Sequence, residues 1–201
     1  MIAPSPDPSQ AAKLALRDQL STARGRLAVA EIAGRARLVA DRLLAAPEVR
    51  RAATVAAYVS VGREPGTGPL LASLVAAGKR VILPLLLADD DLDWALYRGP
   101  EGLLPARRGL LEPAGEPLGL DAVATADVVL VPGLAVDRRG MRMGRGGGSY
   151  DRTLARVPVG TFTCVVLNAA EVLHDVPHGA HDRRVTAAAT EDGVLRFGRT
   201  A

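Results

Sequence analysis

Lysine is almost missing from this chain. Of its 25 basic residues only Lys13 and Lys79 are lysine, and the others are arginine. Lysine carries a compact point charge and arginine a planar fork, so a lysine kept in such a background marks a place where a fork does not serve. Aromatics are also scarce, at 3% with a single tryptophan, which leaves too few rings for a stacking platform along single-stranded nucleic acid. The one cysteine, Cys164, excludes an internal disulfide and a thiolate zinc cluster; within Phe162–Leu167 it reads as a buried strand position. No apolar run approaches the roughly 18 residues of a membrane-spanning helix. The net charge of +3 is too small to argue for a nucleic-acid partner. Residues 1–10 lack the basic start and apolar centre of a secretory signal, so residues 1–9 read as a disordered leader and the expected location is cytoplasmic.

What is present is a globular composition, 48% hydrophobic and 23% charged over 201 residues, enough for one domain over residues 10–201. Residues 10–46 predict two helices meeting near Arg24-Gly25, with Ser9 or Ser21 as candidate caps. Lys13 and Arg17 are four apart and share a helical face, either as a solvated surface or as a pair bridged by an anion. Val29, Ile32, Ala36, Val39 and Leu43 form an apolar stripe at helical spacing, and Pro47 ends it. Strand Thr54–Val59, a turn holding Glu64, helix 70–77 and strand Arg80–Pro84 make a βαβ unit. Glu64 then sits at the carboxyl end of its strand, where open α/β sheets bind ligands. Leu92–Tyr97 alternates as a half-buried strand, with Trp94 either in the core or lining a pocket for a flat ring. Residues 98–126 read as a long Gly- and Pro-rich connection, partly over the site. Asp127–Val131 and Phe162–Leu167 are the next parallel strands. A short antiparallel strand near Val185–Ala189 and an edge piece near Val194–Phe197 complete the expected open, mostly parallel sheet.

The segment from Val131 to Asp151 carries the chemistry. It leaves an apolar strand at Pro132-Gly133, supplies Arg142 and Arg145, places glycines at 144, 146, 147 and 148, and ends on Tyr150-Asp151 before a helix-compatible stretch. Glycines let backbone N–H groups approach an anion, and a helix starting there adds the positive end of its dipole. Asp151 is placed to hold a cation that such an anion carries, and Asp182 is a second carboxylate for the same ion. The spacing matches neither G-x-G-x-x-G nor a Walker A loop. His174, His178 and His181 cluster late but match no closed zinc site, and read as surface-loop residues. No Ser-His-Asp or Cys-His arrangement is evident.

Together these segments resemble the 5-formyltetrahydrofolate cyclo-ligase, or methenyltetrahydrofolate synthetase, family. The resemblance runs from Lys13-x-x-x-Arg17 to His181-Asp182. It is densest at Pro132-Gly-Leu-Ala-x-Asp137 and at Gly140-x-Arg-x-Gly-Arg-Gly-x-Gly-x-Tyr-Asp-Arg152, with support from Tyr58-x-Ser60, Glu64 with Thr67, Val81–Pro84 and Leu111-Glu-Pro113. It implies a Rossmann-like α/β fold with helices on both faces and an N-terminal helical segment. It also implies an enzyme that uses ATP and Mg²⁺ to convert 5-formyltetrahydrofolate to 5,10-methenyltetrahydrofolate, releasing ADP and phosphate.

On the matching positions, the resemblance puts Lys13 and Arg17 on the ATP phosphates. Arg142, Gly144, Arg145, Gly146, Gly147, Gly148, Ser149 and Tyr150 form the nucleotide loop, with Arg145 through Ser149 also near the folate. Val59 and Glu64 line the folate pocket, Arg145 and Glu64 serve the reaction, and Asp151 and Asp182 hold Mg²⁺. The partners implied are small molecules, with no nucleic acid and no membrane, acting on a monomer. Three positions depart from the family pattern: Gly147 replaces a lysine, Ser149 an aromatic and Val136 a phenylalanine; near Thr186 a second aspartate of the family is also absent. The departures keep two alternatives open, a nucleotide-dependent enzyme acting on another amide or carboxylate and a nucleotide- or RNA-binding module.

Overall fold

In a computed structural model, which describes residues 8–198, the buried apolar runs become the centre of one sheet. The chain opens with helices α1 (Pro8–Gly25), α2 (Val29–Ala45) and α3 (Pro47–Arg51), then strand β1 (Thr54–Ala56), helix α4 (Gly68–Ala76) and strands β2 (Arg80–Leu86) and β3 (Leu92–Leu96). Next come strands β4 (Leu103–Pro105), β5 (Leu111–Pro113), β6 (Val128–Pro132), β7 (Ala135–Asp137) and β8 (Arg142–Met143). Helix α5 (Ser149–Arg156) and strands β9 (Phe162–Val166), β10 (Val172–Leu173), β11 (Ala187–Thr190) and β12 (Gly193–Arg196) finish it.

The main sheet has seven strands in the order β12-β11-β9-β6-β1-β2-β3. Strands β11, β9, β6, β1 and β2 pair in parallel, and β12 and β3 close the two edges antiparallel. The parallel strands are buried on both faces, so they read as near-continuous Val, Leu and Ala rather than as alternation. Helices cover both faces: Leu43 of α2 and Leu70, Leu71 and Leu74 of α4 pack on one, and Leu154 of α5 with Val123 on the other. Each fully buried leucine contributes about 2 kcal/mol by transfer from water. Trp94 is fully buried in the second of these cores, and Cys164 is buried in β9, where burial pushes its thiol pKa up.

Several expectations need correction. Helix α1 starts at Pro8, so the last residues of the expected leader are helical; residues 1–7 lie outside the described part. Ser21 falls inside α1 and Ala28 stands at the N-cap of α2, without a capping side chain. Val29 is 75% exposed, because it occupies the first turn of α2 before that helix reaches the sheet; the buried stripe is Ala36, Val39, Ala40 and Leu43. Strand β11 is parallel to β9 and antiparallel only to β12. The long connection after β3 contains the β4–β5 hairpin.

One ion pair fastens α5 to the β2–β3 turn. Arg156 Nη1 and Nη2 donate to Asp91 at 2.9 and 2.6 Å, and Asp91 is only 6% exposed. The Arg156 hydrogen bonds, against burial, hold the Asp91 carboxyl below the usual carboxylate range. A depressed carboxylate stabilises the fold above its unfolded pKa of about 4, and that stability is lost as pH falls through the lower folded value. Arg156→Met leaves the buried Asp91 with only the more distant Arg152 Nε, at 3.8 Å, as a cationic partner and is expected to cost about 2 kcal/mol at pH 7. In thermal unfolding followed across pH, the Tm gap to wild type should shrink below about pH 4.

Candidate active site

The strand order reverses between β1 and β6: from β1 the chain moves through α4 to β2, whereas β6, β9 and β11 run the other way. Ligands of open α/β sheets bind at the carboxyl ends of strands at such a switch point. A cleft of about 790 Å³ lies there, lined by Tyr58 and Val59 after β1 and by Pro132 and Gly133 at the end of β6. That volume falls in the range of small-molecule sites, about 300–1,000 Å³. Every residue singled out from the sequence as a site residue lies on this one cleft.

The loop between β8 and α5 forms one wall. Gly146 and Gly148 have φ of +105° and +71°, a region that strains residues with a Cβ. Gly148 is also the N-cap of α5. At Gly144 a Cβ would stand 2.7 Å from Arg142 Nη1, so a side chain there would displace the guanidinium that passes beneath the backbone. Arg142 is 3% exposed; its Nη2 lies 3.0 Å from Asp151 Oδ1 and its Nη1 donates to Pro132 O at 3.2 Å. Arg142 therefore braces the loop from below. Gly147 has room: the nearest atom to a Cβ there is Ser149 Oγ at 3.7 Å.

Helix α1 brings cations to the opposite wall. Lys13 Nζ lies 2.5 Å from Asp182 Oδ2, and Arg17 Nε donates to Gly144 O at 3.0 Å. Lys13 and Arg17 are thus a site-facing pair and not a solvated one. Asp182 also accepts the Gly179 N–H at 2.6 Å. Burial would raise the Asp182 pKa, but the Lys13 and Gly179 hydrogen bonds hold it below the usual range.

Asp151 Oδ1 accepts the Arg183 N–H at 3.0 Å as well as the Arg142 bond. Among the described residues, hydrogen bonds therefore engage Oδ1 of Asp151 and Oδ2 of Asp182, leaving one oxygen of each carboxylate for a hard cation. Magnesium commonly takes one or two carboxylates and fills its shell with phosphate oxygens and water, so this donor set fits it.

The rest of the cleft is less polar. Pro84, Leu86, Leu92, Leu110 and Leu111 give it an apolar end. The segment carrying Leu110 and Leu111 comes from the long connection expected to lie partly over the site. It is tied down by Arg107 Nη2 to Leu87 O at 2.6 Å and by Leu86 N to Glu112 Oε1 at 2.9 Å.

Glu64 also lines the cleft and is 7% exposed. Its Oε2 accepts the Val61 N–H at 3.0 Å, and Arg145 Nη2 is 3.1 Å from its Oε1. The Arg145 side chain is itself 61% exposed. Tyr58 and Tyr150 meet edge to face with centroids 6.4 Å apart. Burial, and then the Glu64 charge, push both hydroxyl pKa values up. Both hydroxyls are therefore neutral, and that of Tyr58 is buried without a hydrogen-bond partner among the described residues.

Sequence reasoning missed several residues here. Tyr58 was part of the resemblance but had no role. His181 and Arg183 line the cleft beside Asp182; the only signal was their adjacency to that carboxylate. Among the described residues no group of three or more His, Cys, Asp or Glu side chains is placed to hold a metal. Arg24, at the end of α1, and Glu171, in the 3-10 turn before β10, form a buried ion pair below the cleft. Its signal was the spacing of Lys13, Arg17, Leu20 and Arg24, which puts all four on one helical face.

Sheet and cleft together define a Rossmann-like α/β protein with a small-molecule site at its switch point. The sequence profile of the 5-formyltetrahydrofolate cyclo-ligase family matches residues 9–191. The chain belongs to that family. It is 43% identical over 142 residues to the 5-formyltetrahydrofolate cyclo-ligase of Mycolicibacterium smegmatis, covering 68% of this chain and 73% of that one. The solved structure of Aquifex aeolicus 5,10-methenyltetrahydrofolate synthetase superposes with a TM-score of 0.80 at 29% identity, covering 94% and 95% of the two chains. A Mycoplasma pneumoniae 5,10-methenyltetrahydrofolate synthetase shares the fold, with a TM-score of 0.71 at 17% identity over 89% of this chain and 98% of that one.

Proposed function

We propose that this protein is an ATP- and Mg²⁺-dependent 5-formyltetrahydrofolate cyclo-ligase that forms 5,10-methenyltetrahydrofolate, ADP and phosphate. The observation that carries this reading is the convergence on one cleft of two cations from α1, a bare-backbone loop at a helix start, two carboxylates and an apolar end. The first three suit a triphosphate, and the apolar end suits the pterin and benzoyl rings.

The formamide oxygen is a poor leaving group. Transfer of the ATP γ-phosphoryl to that oxygen makes it a phosphate ester and releases ADP. N10 of the folate then attacks the formyl carbon. The new C–N bond closes a five-membered ring, the C–O bond breaks with its electrons leaving on phosphate, and the N10 proton passes to solvent. No protein nucleophile is required, only positioning and charge stabilisation.

Lys13 and Arg17 hold the phosphates from one side, and the N–H groups of residues 144–149 hold them from the other. Magnesium, when bound, would sit at Asp151 and Asp182 and neutralise phosphate charge. Arg145, exposed on the cleft wall, takes the position nearest the transferred group, which compensates for the family lysine replaced by Gly147. Glu64 orients the reacting amide and Val59 packs on the pterin. Burial of the Tyr58–Tyr150 pair keeps water from the strand end.

On this reading the protein is a monomeric, single-domain enzyme acting on small molecules in the cytoplasm, with neither nucleic acid nor membrane as partner. Among the described residues no helix is long and apolar enough to cross a membrane. Purified protein given Mg²⁺, ATP and 5-formyltetrahydrofolate is expected to generate the absorbance of the methenyl product with one ADP per turnover. ADP release without that absorbance, or none of either, rejects the reading.

A further inference from the structure

The Arg24–Glu171 ion pair is buried and two-pronged, held through Nε and Nη2 of Arg24, while Nη1 is buried without a partner among the described residues. The side chains of Arg24 and Glu171 are 5% and 6% exposed. Glu171 accepts four hydrogen bonds: from Arg24 Nε at 2.6 Å and Nη2 at 2.7 Å, and from the backbone N and Nδ2 of Asn168, both at 2.8 Å. Arg24 Nη2 donates in addition to Gly133 O at 2.7 Å, at the end of β6. Burial opposes the Arg24 charge, yet the hydrogen bonds and charge of Glu171 keep its pKa above the ordinary value.

Such a pair gives little net stability over well-packed apolar residues, because desolvation of both charges offsets their attraction. A two-pronged guanidinium–carboxylate contact does, however, admit one orientation. The apolar contacts of α1 are more permissive. Leu16 and Leu20 rest on Leu134, Met143 and Val176, and such packing tolerates sliding and repacking at small cost. Lys13 lies eleven residues before Arg24, about 16 Å along the helix. A small roll at the Arg24 end therefore moves the Lys13 ammonium out of reach of its partners.

We propose that the Arg24–Glu171 pair is a positioning device that fixes the roll and register of α1, so that Lys13 and Arg17 face the glycine loop. Neither residue touches substrate. The inference rests on the reading that α1 holds the ATP phosphates.

The test is the double variant Arg24→Met/Glu171→Gln, which removes both charges and keeps an acceptor for the Asn168 N–H. It is expected to unfold within a few degrees of wild type. Its KM for ATP should rise about tenfold, with the KM for 5-formyltetrahydrofolate within twofold and kcat within about threefold. Deuterium exchange in residues 8–25 should quicken. A pair that is merely structural would lower Tm without separating the two substrates.

A folded double variant with wild-type KM for ATP and wild-type exchange overturns the proposal. Should that variant fail to fold, Arg24→Lys, which keeps the charge and loses the fork, is read by the same two measurements. Lys13→Ala, assayed alongside, separates the failures. If Lys13→Ala raises the KM for ATP and the pair variant does not, the positioning role is wrong. If Lys13→Ala leaves it unchanged, the phosphate-binding reading of α1 is wrong, and with it the inference.

Discussion

Lys13→Ala is expected to raise the KM for ATP about a hundredfold while moving Tm by only a few degrees. The ammonium is 2.5 Å from Asp182 Oδ2, and the two side chains are 17% and 24% exposed. A hydrogen bond to a charged group such as an ATP phosphate is worth about 1.5–3 kcal/mol, and a hundredfold in affinity is about 2.7 kcal/mol. The loss falls on nucleotide binding because the Lys13 ammonium lines the cleft beside Asp182 and Gly179. Lys13→Arg should restore little. A guanidinium is wider than an ammonium and presents its donors in a fixed plane, and in a chain that otherwise uses arginine almost throughout this position has kept lysine. Initial rates at varied ATP and saturating folate decide the matter. Wild-type ATP kinetics in Lys13→Ala would remove the residue from the phosphate site, and full activity in Lys13→Arg would show that charge alone matters.

Glu64→Gln should act on the other substrate. The amide keeps an acceptor for the Val61 N–H, so the turn that presents it is retained, but the charge facing Arg145 is gone. A buried, charge-assisted contact to a reacting amide is worth on the order of a hundredfold in rate. We expect kcat to drop by about that factor, the KM for folate to rise, and the KM for ATP to stay within twofold. Lys13→Ala and Glu64→Gln thus form a crossed pair, each impairing one substrate. Unaltered folate kinetics in Glu64→Gln would place the carboxylate outside the reaction.

Much of this was legible in the sequence because the parallel strands have no solvated face. Val128–Val131 and Phe162–Leu167 read as apolar runs, and the turn chemistry at Pro132-Gly133 and Gly144–Gly148 marks where the chain leaves the sheet. The direction of β11 was not legible: whether Ala187–Thr190 runs with β9 or against it is set by pairing across the sheet, and a short run of small residues carries no local sign of it. Val29 was misassigned because helical periodicity locates a face but not where that face begins to meet its partner. Strands β7, β8 and β10, only two or three residues each, are too short for any periodicity. The Gly-loop site was readable because its residues are contiguous. For the Arg24–Glu171 pair the helical spacing placed Arg24 on the face of Lys13 and Arg17, but nothing local marked Glu171 as its partner, since a glutamate in a loop is an ordinary surface residue until distant chain segments meet.

Those meetings are far apart along the polypeptide. Arg17, Arg24 and Lys13 find their partners 127, 147 and 169 residues downstream. Helix α1, synthesised before every other described element, is therefore among the last to dock, and closing loops of that length slows its arrival. Until Asp182 has been synthesised the cleft lacks a wall, so during translation this polypeptide passes through a long interval in which strands β1, β2, β6 and β9 can pair while helix α1 still waits for its partners.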